Sequence, residues 1–493
     1  MLQSPHLGKE EMRVLLVSPE SKTWSSRKHI PLGIGYLGAV LEGEGHEVQL
    51  WDGAVEEEPL TTLLDSETFD LVGITSVTPL IHEAWEAAAE AQKRNAITIL
   101  GGPHPTLLPD ESLERPVVDL VVRGEAEDTI IEITRALEKD HGHVDSQSGA
   151  RHFKTPDWGQ IDGLSFRNGG GQIVHNNARS PCKDLDNLPF PAHHLYKIDR
   201  YTNLQPRTDG LDPDARAYTI ITSRGCPYQC IYCSKAVTGN IWRPRSPENV
   251  VAEWRKLLVD LNATEVGVTD DVMTLDIKRA KEICRLLIDE GLNEVPWITI
   301  HGIRADNADL ELFQLMKDAG CKRVGFGVES GNQAVLDIMK KGQTIEDVRQ
   351  AFRDARKAGL ETIGFFIFGL PGENEETMDD TIKLALELDP DLANFMIAAP
   401  FPGTELYQMI LDGGDLFSYD WRDFAIHDEK ARFSMGEVTA KLVERKWHEA
   451  YRRFYLRPGR LVRKGLQPEF WRQLPAYVSD AGRFFLSKTR SRN

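Results

Sequence analysis

The chain has 493 residues, too many for one compact core, and at roughly 100 to 200 residues per domain it predicts two or three domains. A composition of 41% hydrophobic and 27% charged residues is that of a globular protein and excludes a disordered or fibrous chain. The formal net charge of -18 argues against nucleic acid as a partner, because phosphate contacts need a cationic surface.

The first residues, MLQSPHLGKEEM, are polar and lack the apolar region of a signal peptide. The longest apolar runs, such as Arg13 to Ser18 and Ile363 to Leu370, are strand-sized, far short of the ~20 residues of a membrane span. A cytoplasmic location is expected. From residue 12 to 141, β-branched runs alternate with helix-like stretches: RVLLVSP, a helix over LGIGYLGAVLEGEG closed by Gly45, HEVQLWD, LVGITSV, a helix from His82 to Arg94, ITILGG and LVVRGE. This α/β order predicts a parallel sheet covered by helices on both faces. Residues 142–216 are rich in Gly, Asn, Asp and Pro and read as a linker, with a hairpin around Gly169 to Gly171 and a strap over LDNLPFPAHHLY. A second alternation over 217–412 gives six strands, YTIITS, EVGVTD, PWITIHG, RVGFGVE, TIGFFIFG and LANFMIAA. Six such units predict a partial parallel barrel with its chemistry at the C-terminal strand ends. Residues 413–493 read as helical and basic, with a helix from Glu437 to Tyr455. From Val443 onward there are thirteen Lys/Arg against four Asp/Glu, interleaved with Trp447, Tyr451, Phe454, Tyr455, Phe470, Trp471, Phe484 and Phe485.

Three of the six cysteines, Cys226, Cys230 and Cys233, fall within SRGCPYQCIYCSK directly after the first strand of the second alternation. In a reducing compartment such a cluster points to metal or redox chemistry and not to disulfides. Zinc normally takes four ligands, and the next histidine downstream is the distant His301. A 4Fe-4S cluster bound by three thiolates keeps one iron open for a substrate or cofactor. The spacing favours the cluster over zinc or over three core cysteines.

This segment resembles the radical S-adenosylmethionine superfamily, and the resemblance runs from about Ala217 to Tyr407. It implies that Cys226, Cys230 and Cys233 hold the cluster and that Tyr232 lies beside the adenine of S-adenosylmethionine. It also implies that Glu329 and Ser330 in GVESG reach the ribose or methionyl part, and that Arg304 contacts the methionyl carboxylate. Gly369, within GFFIFGLPGE, would pack near adenine. The activity implied is reductive cleavage of S-adenosylmethionine to methionine and a 5'-deoxyadenosyl radical, with the electron coming from a donor such as flavodoxin or ferredoxin. Asp270 and Asp271, in TDDVMTLD, are read as orienting the cofactor or capping the next helix in preference to an acid and base pair.

No G-x-G-x-x-G directly follows the first strand; the one at Gly33 to Gly38 lies well past it and inside the predicted helix, not in a strand-to-helix turn, which argues against a conventional dinucleotide site. The pieces PLGIGYLGAVLEGEGHEV, GITSVTP, GGPHPTLLPDE and VVRGEAED instead resemble the Rossmann-like cobalamin-binding domain fused to radical S-adenosylmethionine barrels. The resemblance makes Thr75, Ser76, Gly101, Gly102, Pro103 and His104 the expected corrinoid contacts. The Asp-x-His-x-x-Gly motif that supplies a histidine to cobalt elsewhere is absent, so either cobalamin binds without a protein histidine or the domain is a scaffold.

Together the resemblances imply methylation of an unactivated carbon of a small-molecule or lipid substrate. The alternatives are radical cyclisation or rearrangement with the same cofactors, and a non-enzymatic carrier. A methylthiotransferase is disfavoured because no cysteine precedes Cys182. The basic aromatic tail is read either as a peripheral membrane contact or as a helical cap on an acidic barrel.

Overall fold

The computed structural model describes residues 11–20, 30–139, 143–144, 151–152, 156–201, 215–425 and 429–466. The first sheet has five parallel strands in the order Glu47–Asp52, Arg13–Ser18, Leu71–Thr75, Ile97–Gly101 and Leu120–Val122. Its inner strands are apolar on both faces because both faces are covered. Val14, Leu16, Leu71, Ile99 and Val122 pack with the helices Leu32–Glu44 and Glu127–Lys139. Leu15, Val17, Val72, Ile74 and Leu100 pack on the other side with the helices Leu60–Ser66 and Ile81–Gln92. The strand order reverses beside Arg13–Ser18, the position where open α/β sheets leave a crevice at their C-terminal ends.

The hairpin expected in a linker belongs to this sheet. Leu164–Arg167 pairs antiparallel with Leu120–Val122, and Ile173–His175 pairs with Leu164–Arg167. The main-chain groups at the edge of the parallel sheet are thereby paired. The strap over Leu185 to Arg200 forms three short 3-10 turns laid over the first helix, where Tyr196 Oη donates to Pro31 O at 2.8 Å.

The second sheet has the six expected strands in chain order and all parallel: Ala217–Ile220, Glu265–Val268, Trp297–Thr299, Cys321–Glu329, Glu361–Phe368 and Leu392–Ile397. Outward residues such as Val266, Phe326, Phe366 and Phe395 pack with Trp254, Phe313 and Phe352 of the surrounding helices in one large core. The helix expected from Glu437 runs over Ala440–Tyr455 and starts at Thr439, whose hydroxyl accepts from Leu442 N–H. It covers the last strand edge: Trp447 Nε1 donates to Phe395 O at 2.8 Å, and Tyr455 Oη donates to Ala393 O at 2.8 Å and accepts from Ala393 N–H at 3.1 Å. Lys446 pairs with Asp379 at 2.6 Å and Arg445 with Glu375 at 3.0 Å. Up to Tyr455 the tail is therefore a cap of opposite charge on the barrel. Phe470, Trp471, Phe484 and Phe485 lie outside the described residues. Among the described residues no helix is long and apolar enough to cross a membrane.

Candidate active site

The cysteine loop leaves the first barrel strand through Thr222 and Ser223, and Ser223–Arg224 pairs antiparallel with Arg243–Pro244 to close its base. Gly225 stands at φ 84° between this pairing and Cys226, and a Cβ there would lie 2.2 Å from Ile241 O, so only glycine fits. The two aspartates hold this base and do not cap the next helix. Asp270 accepts from Thr222 N–H and Thr222 Oγ1, both at 2.6 Å, and from Ser223 Oγ at 2.5 Å. Asp271 accepts from Gly225 N–H at 3.1 Å and Thr238 Oγ1 at 2.9 Å, while the helix N-cap is Asp276. The far side of the loop is tied by Ile231 N–H to Met339 O at 3.2 Å and by Leu406 N–H to Ile231 O at 2.9 Å.

Cys230, Ile231 and Cys233 line a cavity of about 400 Å³ with Lys235, Asn240 and Glu405. A hydrogen bond with Cys233, opposed by burial and aided by the Lys341 ammonium, pulls the Cys230 thiol down to about 6, and the same bond pushes Cys233 up. Burial pushes the Cys226 thiol up. Among the described residues no three His, Cys, Asp or Glu side chains converge on a single metal ion.

The strand-end residues expected to face the cofactor divide into two groups. Tyr232, Glu329 and Arg304 gather around the loop. Glu329 is held in the left-handed region at φ 63° with 6% exposure, and its carboxylate accepts from Lys341 Nζ at 2.7 Å, which stands 3.4 Å from Tyr232 Oη. Burial opposes the Lys341 charge, but Glu329 and the thiols outweigh it and raise its pKa. Arg304 lies 3.5 Å over the Tyr228 ring and is bidentate to Asp306 at 2.9 and 2.7 Å. Ser330 and Gly369 are instead engaged by neighbouring residues of their own turns and helices. Ser330 Oγ meets Thr381 Oγ1 at 3.3 Å and accepts from Asn332 N–H at 3.2 Å. Gly369 N–H and Leu370 N–H both donate to Glu373 Oε2 at 2.8 Å. Burial, opposed by these two bonds, pushes Glu373 up to about 8.

At the C-terminal ends of the first sheet lies a cavity of about 300 Å³, mostly apolar, in which Thr75, Gly101, Gly102 and Pro103 are lining residues. Gly102 turns at φ 94°, and a Cβ there would stand 2.9 Å from Ser76 O. A Cβ added at Gly33 or Gly124, also on the wall, would meet nothing within 4 Å, so bare backbone faces open space of the kind a large flat ring needs. A second cavity of about 410 Å³ shares Pro103, Val237 and Thr238 with the first, and Leu107, Ser234 and Ala236 with the cavity at the cysteines. The three cavities thus adjoin one another in a row from the sheet to the cysteine loop.

Ser76 and His104 do not line it. Ser76 follows Thr75 along the strand and points the other way, donating to Val77 O at 3.0 Å. His104 is one step along a short helix from Pro103 and is fully buried, with Nδ1 3.2 Å from Thr78 Oγ1 and Nε2 3.1 Å from Glu111. It is engaged on both nitrogens.

Sequence reasoning missed Lys341 and a buried clasp between the two sheets. Glu125 is bidentate to Arg243 at 2.8 Å on each oxygen and 3.4 Å from Arg224, which pairs with Glu127 at 2.8 Å. Burial opposes the Arg224 charge, and Glu127 and Glu125 more than restore it. The only local signal was charge in VVRGEAED and WRPR, which carries no partner information.

A parallel barrel with this loop, joined to a doubly wound sheet with a glycine-lined crevice, defines the class as a radical S-adenosylmethionine enzyme with a cobalamin domain. Residues 220–385 match the model of the Radical SAM superfamily and residues 25–134 that of the B12 binding domain. The chain is 32% identical over 465 residues to an uncharacterized methyltransferase of Pyrococcus horikoshii, covering 92% of this chain and 94% of the relative. It is 28% identical over 458 residues to an anaerobic magnesium-protoporphyrin IX monomethyl ester cyclase of Cereibacter sphaeroides, covering 90% of this chain and 71% of the relative. The fold is shared with the radical S-adenosylmethionine methyltransferase TsrM from Kitasatospora setae, solved with cobalamin and a 4Fe-4S cluster, at TM-score 0.65 and 22% identity over 82% of this chain and 78% of that one. The chain belongs to the cobalamin-dependent radical S-adenosylmethionine family, whose cofactors are a 4Fe-4S cluster, S-adenosylmethionine and cobalamin.

Proposed function

We propose that this chain methylates an unactivated carbon of a small-molecule or lipid substrate. Cys226, Cys230 and Cys233 would hold the cluster, with Tyr232, Arg304 and Glu329 around S-adenosylmethionine and Thr75, Gly101, Gly102 and Pro103 against cobalamin. When bound, these groups supply an electron to S-adenosylmethionine, a hydrogen-abstracting radical and a transferable methyl group. The observation that carries the reading is the row of adjoining cavities from the glycine-lined crevice to the cysteine loop, an arrangement that would let the two cofactors face one substrate. The protein's own part is to hold that register and to exclude water with walls such as Phe401, Phe424 and Val77. The cyclase relative supports a second reading, radical cyclisation with the same cofactors.

The electron carrier, of the flavodoxin or ferredoxin kind, would approach where Cys233 and Lys235 line the outer cavity. A peripheral membrane contact would use exposed Leu456, Val462 and Leu466 and would favour a lipid substrate. One anaerobic preparation tests the set. Reconstituted with iron, sulfide and cobalamin, it should bind both cofactors and form 5'-deoxyadenosine under dithionite or reduced flavodoxin, and Cys230→Ala should bring this to background. Labelled methyl transfer to trial substrates, with vesicle cosedimentation at low salt, then separates methylation from cyclisation. Cluster loading with no deoxyadenosine would sink the enzyme reading.

A further inference from the structure

The motif residues leave one buried cation at the site without an assigned task. Lys341 is 6% exposed, and its ammonium sits 2.7 Å from Glu329 and 3.4 Å from Tyr232 Oη, close enough to act on both Cys230 and Cys233. Its neighbour Lys340 points outward to Glu405 at 2.6 Å, so the two adjacent lysines have opposite fates.

The backbone is arranged to make this inner pair. Glu329 at φ 63° and Lys340 at φ 54° both occupy the left-handed region, which is unfavourable for residues with a Cβ and persists only where the surroundings impose it. A Cβ at Gly327 would lie 2.7 Å from Glu329 Oε1 and 2.9 Å from Lys341 Nζ, so a bare glycine leaves room for the pair. The same turn accepts Ile231 N–H at Met339 O, which ties the lysine to the cysteine loop. Arg304 also acts on Cys230, but its charge is already matched by Asp306.

Resting on the reading that these cysteines hold a 4Fe-4S cluster, we propose that Lys341 is a positioning residue that neutralises Glu329 beside the cluster. The cluster then accepts its electron without facing an uncompensated buried carboxylate. A cluster that gains an electron becomes more negative, so a lone anion nearby opposes reduction and a paired one does not.

The test is a dithionite redox titration, without S-adenosylmethionine, of wild type, Lys341→Met, Lys341→Arg and the double variant Lys341→Met with Glu329→Gln. Iron and sulfide are quantified first, and the one-electron-reduced cluster is followed by electron paramagnetic resonance. Lys341→Met should disfavour reduction by about tenfold, a fall of about 59 mV for one electron. Lys341→Arg should stay near wild type, and the double variant, neutral like the native pair, should return toward it. If Lys341→Met loads no cluster while the double variant does, the conclusion is the same. A wild-type potential in Lys341→Met, a double variant as low as the single one, or loss of the cluster from both would overturn the proposal and leave Lys341 a packing residue. Failure of the wild-type protein to assemble a cluster would instead sink the site reading itself.

Discussion

The cysteine loop and the crevice of the first sheet border adjoining cavities, yet they are built by opposite means. The loop is fixed by buried charge: Asp270 and Asp271 hold its backbone, Arg224 and Arg243 at its base are gripped by Glu125 and Glu127, and Lys341 pairs with Glu329. The crevice is fixed by what is missing, with bare backbone at Gly33, Gly101, Gly102 and Gly124 and apolar walls such as Leu16, Ile99 and Val122. A loop that must present three thiols in one register needs directional bonds. A wall that must accept a broad flat ligand needs shape.

If that contrast is right, the largest loss of stability follows from breaking the clasp at the loop's base. Glu125 is 8% exposed and accepts from Arg243 twice and from Cys182 N–H at 2.9 Å. Glu125→Ala leaves Arg243 buried without its carboxylate and should lower unfolding stability by about 3–5 kcal/mol. Denaturant midpoints at fixed salt measure this. A loss below 1 kcal/mol, the scale of an exposed pair, would show that the clasp is screened by water.

The crevice should respond in the opposite sense. A Cβ at Gly33 meets nothing within 4 Å, and the residue sits in the first turn of Leu32–Glu44, where glycine is a poor helix former. Gly33→Leu should therefore leave stability unchanged or slightly raised while its side chain fills the cavity, weakening cobalamin binding by about tenfold or more, near 1.4 kcal/mol. Equilibrium titration by visible absorbance reads the affinity. Unchanged affinity would move the corrinoid away from this wall.

The two regions also differed in how far their sequences could be read. Three thiols at fixed spacing carry their chemistry in their identity, and the strands are marked by β-branched runs whose two faces are both buried. The clasp was invisible because topology brings its partners together, Glu125 and Arg243 being 118 residues apart, and although Lys341 is only 12 residues from Glu329, it is 109 from Tyr232, so only the fold sets that pair beside the cysteine loop. In the crevice the glycines were legible as room for a ligand, but the direction of each neighbour was not. His104 and Ser76 were expected at the ligand because the motifs GGPHPTLLPDE and GITSVTP resemble those of the cobalamin-binding domain, and each in fact only adjoins a lining residue. One step along a helix or a strand turns a side chain to another face, and there His104 is held by Thr78 and Glu111. The linker hairpin was recognised as a hairpin, but its attachment to the first sheet depended on a strand edge more than forty residues earlier.

The fifth-strand turn lets charge and hydrogen bonding be separated, through an effect that appears only as pH is varied. Glu373 is 2% exposed; its Oε2 takes two backbone N–H groups and its Oε1 has no hydrogen-bond partner among the described residues, with burial raising its pKa from 4.5 to about 8. A carboxyl whose folded pKa is raised binds its proton more tightly in the folded than in the unfolded chain. It therefore costs stability as pH rises above 4.5, and the cost levels off near 8. Through that window each pH unit should cost about 1 kcal/mol, and Glu373→Gln, which keeps an acceptor oxygen for both N–H groups and cannot ionise, should remove this part of the pH dependence. Melting temperatures of both proteins at pH 5, 6, 7 and 8 make the comparison. Curves that stay parallel would mean that the two N–H bonds hold the anion as readily as water does, and that this turn, like the loop, is secured by a buried negative charge.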